Sequence, residues 1–148
     1  MRNITAAILL SIVLATAAAR AGDEVMQQPI NYGKVAVDDP IARIQKQIDA
    51  GKLKLAHDDA HGYLAAVLNA LGIKPSSQTL VFSKTSFQRR AISPKTPRAL
   101  YFNDDVYIGF IPGAPKMEVS AVDPKLGGIF YTLEQSQDEK PTFSRTTD

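Results

Sequence analysis

At Gln78 the spacing of apolar residues in this 148-residue chain changes from a helical step to a strand step, and that switch limits the fold more than any other feature. Upstream of it, Ile41, Ile44 and Ile48 fall on one helical stripe. Asp39 is the expected N-cap, Pro40 suits the first helical position because it has no N–H to satisfy, and Gly51 closes the helix. A second helix is expected with Asp58 or Asp59 as its cap. Leu64, Val67, Leu68 and Leu71 form its apolar face, and Gly72 ends it. Downstream, residues 79–83, 99–102, 106–111, 117–121 and 128–133 read as strands, with turn chemistry at 103–105 and 123–127. Short connections favour antiparallel neighbours. The expected fold class is therefore α+β: two N-terminal helices packed on a C-terminal antiparallel β-meander of about four to five strands.

The first 21 residues carry a different signal. Arg2 supplies a positive start, ILLSIVL an apolar segment, and Ala19-Arg20-Ala21 a small-x-small cleavage site before Gly22. The order is that of a secretory signal peptide. A spanning helix is the rival reading, but residues 4–19 include Thr and Ser and fall short of the ~20 that a bilayer needs. Export to the periplasm or beyond the cell is expected, with no membrane segment after cleavage. Residues 22–37 then read as an extended lead-in, 38–134 as one α+β domain, and 135–148 as a polar tail or linker with Phe143 as its one large apolar residue.

Charge and cysteine content exclude several classes. Without Arg2 and Arg20, the seventeen Lys and Arg fall to the same number as the fifteen Asp and Glu. A balanced chain lacks the cation excess that general nucleic-acid binding requires, so no nucleic-acid partner is expected. The chain contains no cysteine. Thiol catalysis, Cys-ligated zinc and covalent haem attachment within it are thereby excluded, and packing alone must replace disulfides.

Two clusters carry candidate chemistry. His57 and His61, spaced i and i+4 around Asp58-Asp59-Ala60, would share a helical face as a zinc pair does. They are the only histidines and straddle the expected cap, so a helix terminus takes precedence over zinc, and no cofactor is assigned. The second cluster is basic. No Asp or Glu lies between Ala60 and Asn103, whereas Lys84, Arg89, Arg90, Lys95 and Arg98 do, and they form the candidate site for an anionic ligand or partner. Internal pairing of Arg89, Arg90 or Arg98 with Asp104 or Asp105 is the preferred reading of that segment. Ser83 and Lys84 alternate across a strand and are poorly placed for proton transfer, so no catalytic residue is assigned.

The stretch TLVFSKTSFQRRAISPKTPRALYFNDDVYIGF, with HGYL before it and EVSAVDPKLGGIFYTL after it, resembles the N-terminal region of uncharacterised, secreted c-type-cytochrome-like bacterial proteins. The likeness runs from about residue 38 to 148. It implies an electron-transfer setting and a haem domain or redox protein as partner. In such proteins a segment like FSRTTD leads into Cys-x-x-Cys-His, which this chain lacks, so no haem-binding residue carries over. The expectation is a non-catalytic module, the N-terminal part of such a protein without its haem segment. The alternative is a stand-alone periplasmic module that binds an anionic ligand or partner through residues 84–98.

Overall fold

The computed structural model describes residues 35–138 and 140–146. Helix α1 (Pro40–Asp49) begins at the expected cap: Asp39 accepts a hydrogen bond from Ala42 N at 2.9 Å, and Pro40 occupies the first turn. Ile41, Ile44 and Ile48 are its buried residues, and Gly51 follows at φ +70°, where a side chain would be strained. Helix α2 (Leu64–Ala70) is shorter than the sequence suggests. Neither Asp58 nor Asp59 caps it. Asp58 instead accepts from Ala60 N and His61 N at 2.9 and 2.7 Å, closing a tight loop that bridges Asp58 to Gly62. That local competition for backbone donors delays the helix to Leu64, whose preceding residue Tyr63 makes no side-chain cap.

Six strands follow: β1 (Thr79–Val81), β2 (Arg98–Phe102), β3 (Val106–Phe110), β4 (Lys116–Asp123), β5 (Gly127–Glu134) and β6 (Phe143–Thr146). Each pairs antiparallel with its neighbour in sequence, giving one meander in the order β1 to β6. The class is α+β as expected, with one strand more than expected. The additional strand corrects the reading of residues 135–148 as a tail. Phe143 pairs with Leu133 on β5, its N–H donates to Gln45 Oε1 of α1 at 2.8 Å, and Lys140 bridges Asp49 at 2.9 Å. Tertiary partners, invisible to local pattern, supply what the polar sequence lacks.

One face of the sheet carries the core. Ile41, Ile44 and Ile48 of α1 and Leu64, Val67 and Leu68 of α2 share a cluster with Val106, Ile108, Met117, Val119, Ile129 and Leu133 of the strands. Burying each such side chain removes it from water at a gain of about 1.5–3 kcal/mol. Gly62 is also fixed by packing. Its φ is +60°, and an added Cβ would lie 2.1 Å from Gln135 Oε1, which accepts from Tyr63 N at 3.1 Å.

Two buried aspartates join the layers. Asp39, wholly inaccessible, spends one carboxyl oxygen on the α1 cap and accepts the Tyr131 hydroxyl of β5 on the other. Burial, and then the hydrogen bond to Asp39, raise the Tyr131 pKa above its usual value, so the phenol stays protonated as a donor. Asp123, at the end of β4, accepts from Asp38 N, Lys125 N and Leu126 N at 2.7, 2.8 and 2.9 Å. Those backbone donors, Asp38 first, hold its carboxyl below the usual carboxylate range.

Tyr131→Phe keeps the ring packing but strands a buried carboxyl oxygen, and thermal or urea unfolding should show a loss of about 1–3 kcal/mol. Asp123 has a depressed native pKa, so its contribution is full above the unfolded value near about 4 and disappears as pH falls through the native one. Melting curves from pH 7 to 2 should show Asp123→Asn less stable at neutral pH, with a shallower loss below about pH 4 than the parent chain.

Candidate functional site, an uncovered apolar sheet face

An antiparallel sheet with one face on a core ordinarily shows polar side chains on the other. Here the outer face carries Leu100 and Phe102 on β2, Tyr107 on β3, Val122 on β4 and Phe130 on β5. Phe102, Tyr107, Val122 and Phe130 are all exposed. Phe102 stands opposite Tyr107, Tyr107 opposite Ser120, and Ser120 opposite Phe130. The Phe102 and Tyr107 rings stack with centroids 5.5 Å apart and 18° between their planes. Tyr107 and Phe130 sit two strands apart, a backbone separation of about 10 Å, with only the small Ser120 between them. In the next row Gly109 stands between Leu100 and Glu118, and the room its missing side chain leaves is crossed by the stem of Arg98. Small residues between large ones hollow out a groove of about 580 Å³.

An ion pair closes one end of the groove. Arg98 Nη1 lies 3.3 Å from Glu118 Oε2, with the two side chains 13% and 15% exposed, and also donates to Thr85 O at 2.8 Å. The stem of Arg98 lies across Gly109, whose missing Cβ would stand 3.4 Å from Arg98 Cδ. The other Glu118 oxygen accepts from Ser86 Oγ at 2.6 Å and Gln88 N at 3.4 Å. Gln88 makes a reciprocal pair with Lys116, accepting from its N–H at 3.0 Å and donating to its carbonyl at 2.8 Å. Ile92 packs with Ile111 and Ala114 in a small second core. The connection between β1 and β2 is thus latched to β4 at Ser86 and Gln88. Phe87 projects between those latches, 70% exposed.

The basic residues separate into two kinds. Arg98 is consumed by Glu118 and Thr85. This corrects the expected pairing with Asp104 or Asp105, because the β3 and β4 register brings Glu118, not the turn, beside it. Lys84, Arg89, Arg90 and Lys95 are exposed, and among the described residues none of the four makes an ion pair. Arg89 and Arg90 line a shallower depression that shares Ser86 and Phe87 with the groove. Ser83 Oγ contacts Thr85 Oγ1 at 3.0 Å. Glu118, committed to Arg98, Ser86 and Gln88, holds the loop in place.

The histidines fall on a loop, not on a helical face, which corrects the i, i+4 expectation. His57 Nε2 lies 2.9 Å from the Gln135 carbonyl, which can only accept, so Nε2 carries the hydrogen. Its Nδ1 then accepts from Gln137 Nε2 at 2.7 Å, and both ring nitrogens are engaged. His61 Nδ1 faces Asp58 Oδ1 at 3.4 Å. Among the described residues no group of three or more His, Asp or Glu is placed to hold a metal ion, and none of the helices is long and apolar enough to cross a membrane. Ala19 and Ala21, the expected cleavage residues, lie outside the described residues.

Sequence reasoning did not single out Glu118, Gln88, Phe87, Tyr107 or Phe130. A signal existed: Val106 to Ile111 is apolar at nearly every position, a pattern that implies burial on both faces of its strand. No family model, curated protein or solved structure matches this chain.

Removing the Glu118 carboxylate isolates the Arg98 charge and frees both Ser86 and Gln88 N. Glu118→Ala should lower stability by about 2–3 kcal/mol and speed tryptic cleavage at Lys84, Arg89 and Arg90. Tyr107→Ser, which leaves the latch intact, should not speed it.

Proposed function

We propose that this chain is an exported, non-catalytic module of an electron-transfer protein, whose redox chemistry resides in a haem domain or redox partner packed beside it. The observation that carries this reading is the apolar outer face, whose Phe102, Tyr107, Val122 and Phe130 no helix among the described residues covers. Contiguous exposed apolar surface of this kind favours association with another surface. The segments that resemble c-type-cytochrome-like proteins, residues 61–64, 79–110 and 118–133, contain Phe87, Arg98, Leu100, Tyr107, Gly109, Glu118, Ser120 and Phe130, which all line the groove. The chain has no cysteine for covalent haem attachment, so that chemistry belongs to the partner. The signal-like residues 1–21 support export.

The coding sequence beyond Asp148 tests the reading directly. An in-frame Cys-x-x-Cys-His motif within a few tens of codons is the expected result. Its absence, together with no change in the redox potential of a co-expressed periplasmic c-type cytochrome, would overturn it. Export has its own readout. Mass spectrometry of periplasmic extract should find the chain beginning at Gly22, whereas intact protein confined to the cytoplasm would remove the export claim.

A further inference from the structure

We infer that the outer groove, Phe87 and the Arg89–Arg90 pair form one docking surface for an acidic protein segment that inserts an apolar side chain between Tyr107 and Phe130. The inference rests on reading the chain as a binding module, and adds the place and the chemistry of the contact.

Three observations converge on it. First, the slot is built to admit one side chain. Tyr107 and Phe130 flank it across about 10 Å of sheet, and Ser120 forms its floor. Neighbouring aromatic rings prefer centroids about 4.5–7 Å apart, so a ring inserted between two others spans about 9–14 Å, a range that includes that interval. Secondly, the rim is held before any partner arrives. Ser86 and Gln88 tie the loop to Glu118 and Lys116, and Phe87 is left exposed between them. With the residues on either side of it tied down, the Phe87 backbone has little freedom left to lose on binding, which lowers the cost of using its ring as an anchor. Thirdly, the charges are sorted. Arg98 is neutralised by Glu118 inside the groove, whereas Arg89 and Arg90 lie exposed in the adjoining depression without a carboxylate partner among the described residues.

Charge complementarity therefore selects an occupant with carboxylates on the Phe87 side and an apolar residue on the sheet side. The two depressions meet at Ser86 and Phe87, so an occupant must reach across that ridge to use both. A peptide segment does so naturally, while a compact small molecule fills only one. Nucleic acid is disfavoured because the chain carries only two more Lys and Arg than Asp and Glu, and both of these cations, Arg2 and Arg20, lie in the signal-like segment; the slot itself is apolar.

Fluorescence anisotropy with the full chain and three labelled synthetic peptides tests this. Glu-Glu-Trp-Glu-Glu combines both features, Glu-Glu-Gly-Glu-Glu lacks the anchor, and Lys-Lys-Trp-Lys-Lys reverses the charge. The first should bind at least ten-fold tighter than either of the others and weaken several-fold between 20 and 300 mM NaCl. Arg89→Ala with Arg90→Ala should cost at least five-fold and abolish most of the salt dependence. Phe130→Ser should cost a similar factor without changing the salt slope, and circular dichroism melts confirm that each variant folds. Equal binding of the lysine peptide, no effect of the double arginine variant, or no binding of any peptide up to 1 mM would each overturn the proposal. So would a concentration-dependent dimer in sedimentation that Phe130→Ser abolishes, because the face would then belong to a second copy. A missing haem motif downstream with acidic-peptide binding intact would remove the electron-transfer reading and leave this surface standing. The motif's presence with no peptide binding would do the reverse.

Discussion

A single carboxyl group, that of Asp39, sets where the helical layer meets the sheet. It is wholly buried, and both its oxygens are used: one caps α1, the other receives the Tyr131 hydroxyl from β5. A buried carboxyl group without these donors would be strongly unfavourable, so the start of α1 has one acceptable seat on the strands. Asp123 reinforces the same corner by accepting from the neighbouring Asp38 N. Together the two aspartates fix which face of the meander receives Ile41, Ile44 and Ile48, and so which face is left bare.

That asymmetry organises the remaining surface. With α1 and α2 sharing the inner core, the outer face keeps its aromatic residues in water, and the latched connection between β1 and β2 shapes one end of the groove. The same carboxylate that pairs Arg98 also takes the Ser86 hydroxyl, so one residue, Glu118, sets both the electrostatics and the wall of the groove. Neutralising the inner cation leaves Arg89 and Arg90 as the charges that face outward there.

What the sequence revealed depended on whether the deciding partner was near in the chain. The α1 cap, Pro40, the isoleucine stripe and Gly51 are all local, and the helix forms where they place it. The turns at Asn103 and Asp123 are equally local: each side chain accepts from backbone N–H groups two and three residues on. Asp58 was ambiguous because cap and tight loop use the same donors, and the loop formed. Strand β6 depends on Gln45 and Leu133, far away in sequence, and no pattern in residues 135–148 announces them. The groove was hidden for the same reason. Tyr107, Ser120 and Phe130 become neighbours only through the register of β3, β4 and β5, whereas the basic run was visible as composition.

The unbroken order of the meander has a kinetic side. Each strand pairs with the next along the chain, so the sheet can grow outward from the β4–β5 hairpin, with the connection between β1 and β2 the longest that it must close. Docking of α1 closes a much longer one, because Asp39 and Tyr131 stand 92 residues apart. The bare face is therefore assembled by the pairing of successive strands, and the helical layer by the longer closure that brings Asp39 to Tyr131. A transient lift of α1 can expose the inner core while the slot between Tyr107 and Phe130 keeps its shape, so one side of the sheet can breathe while the other stays built.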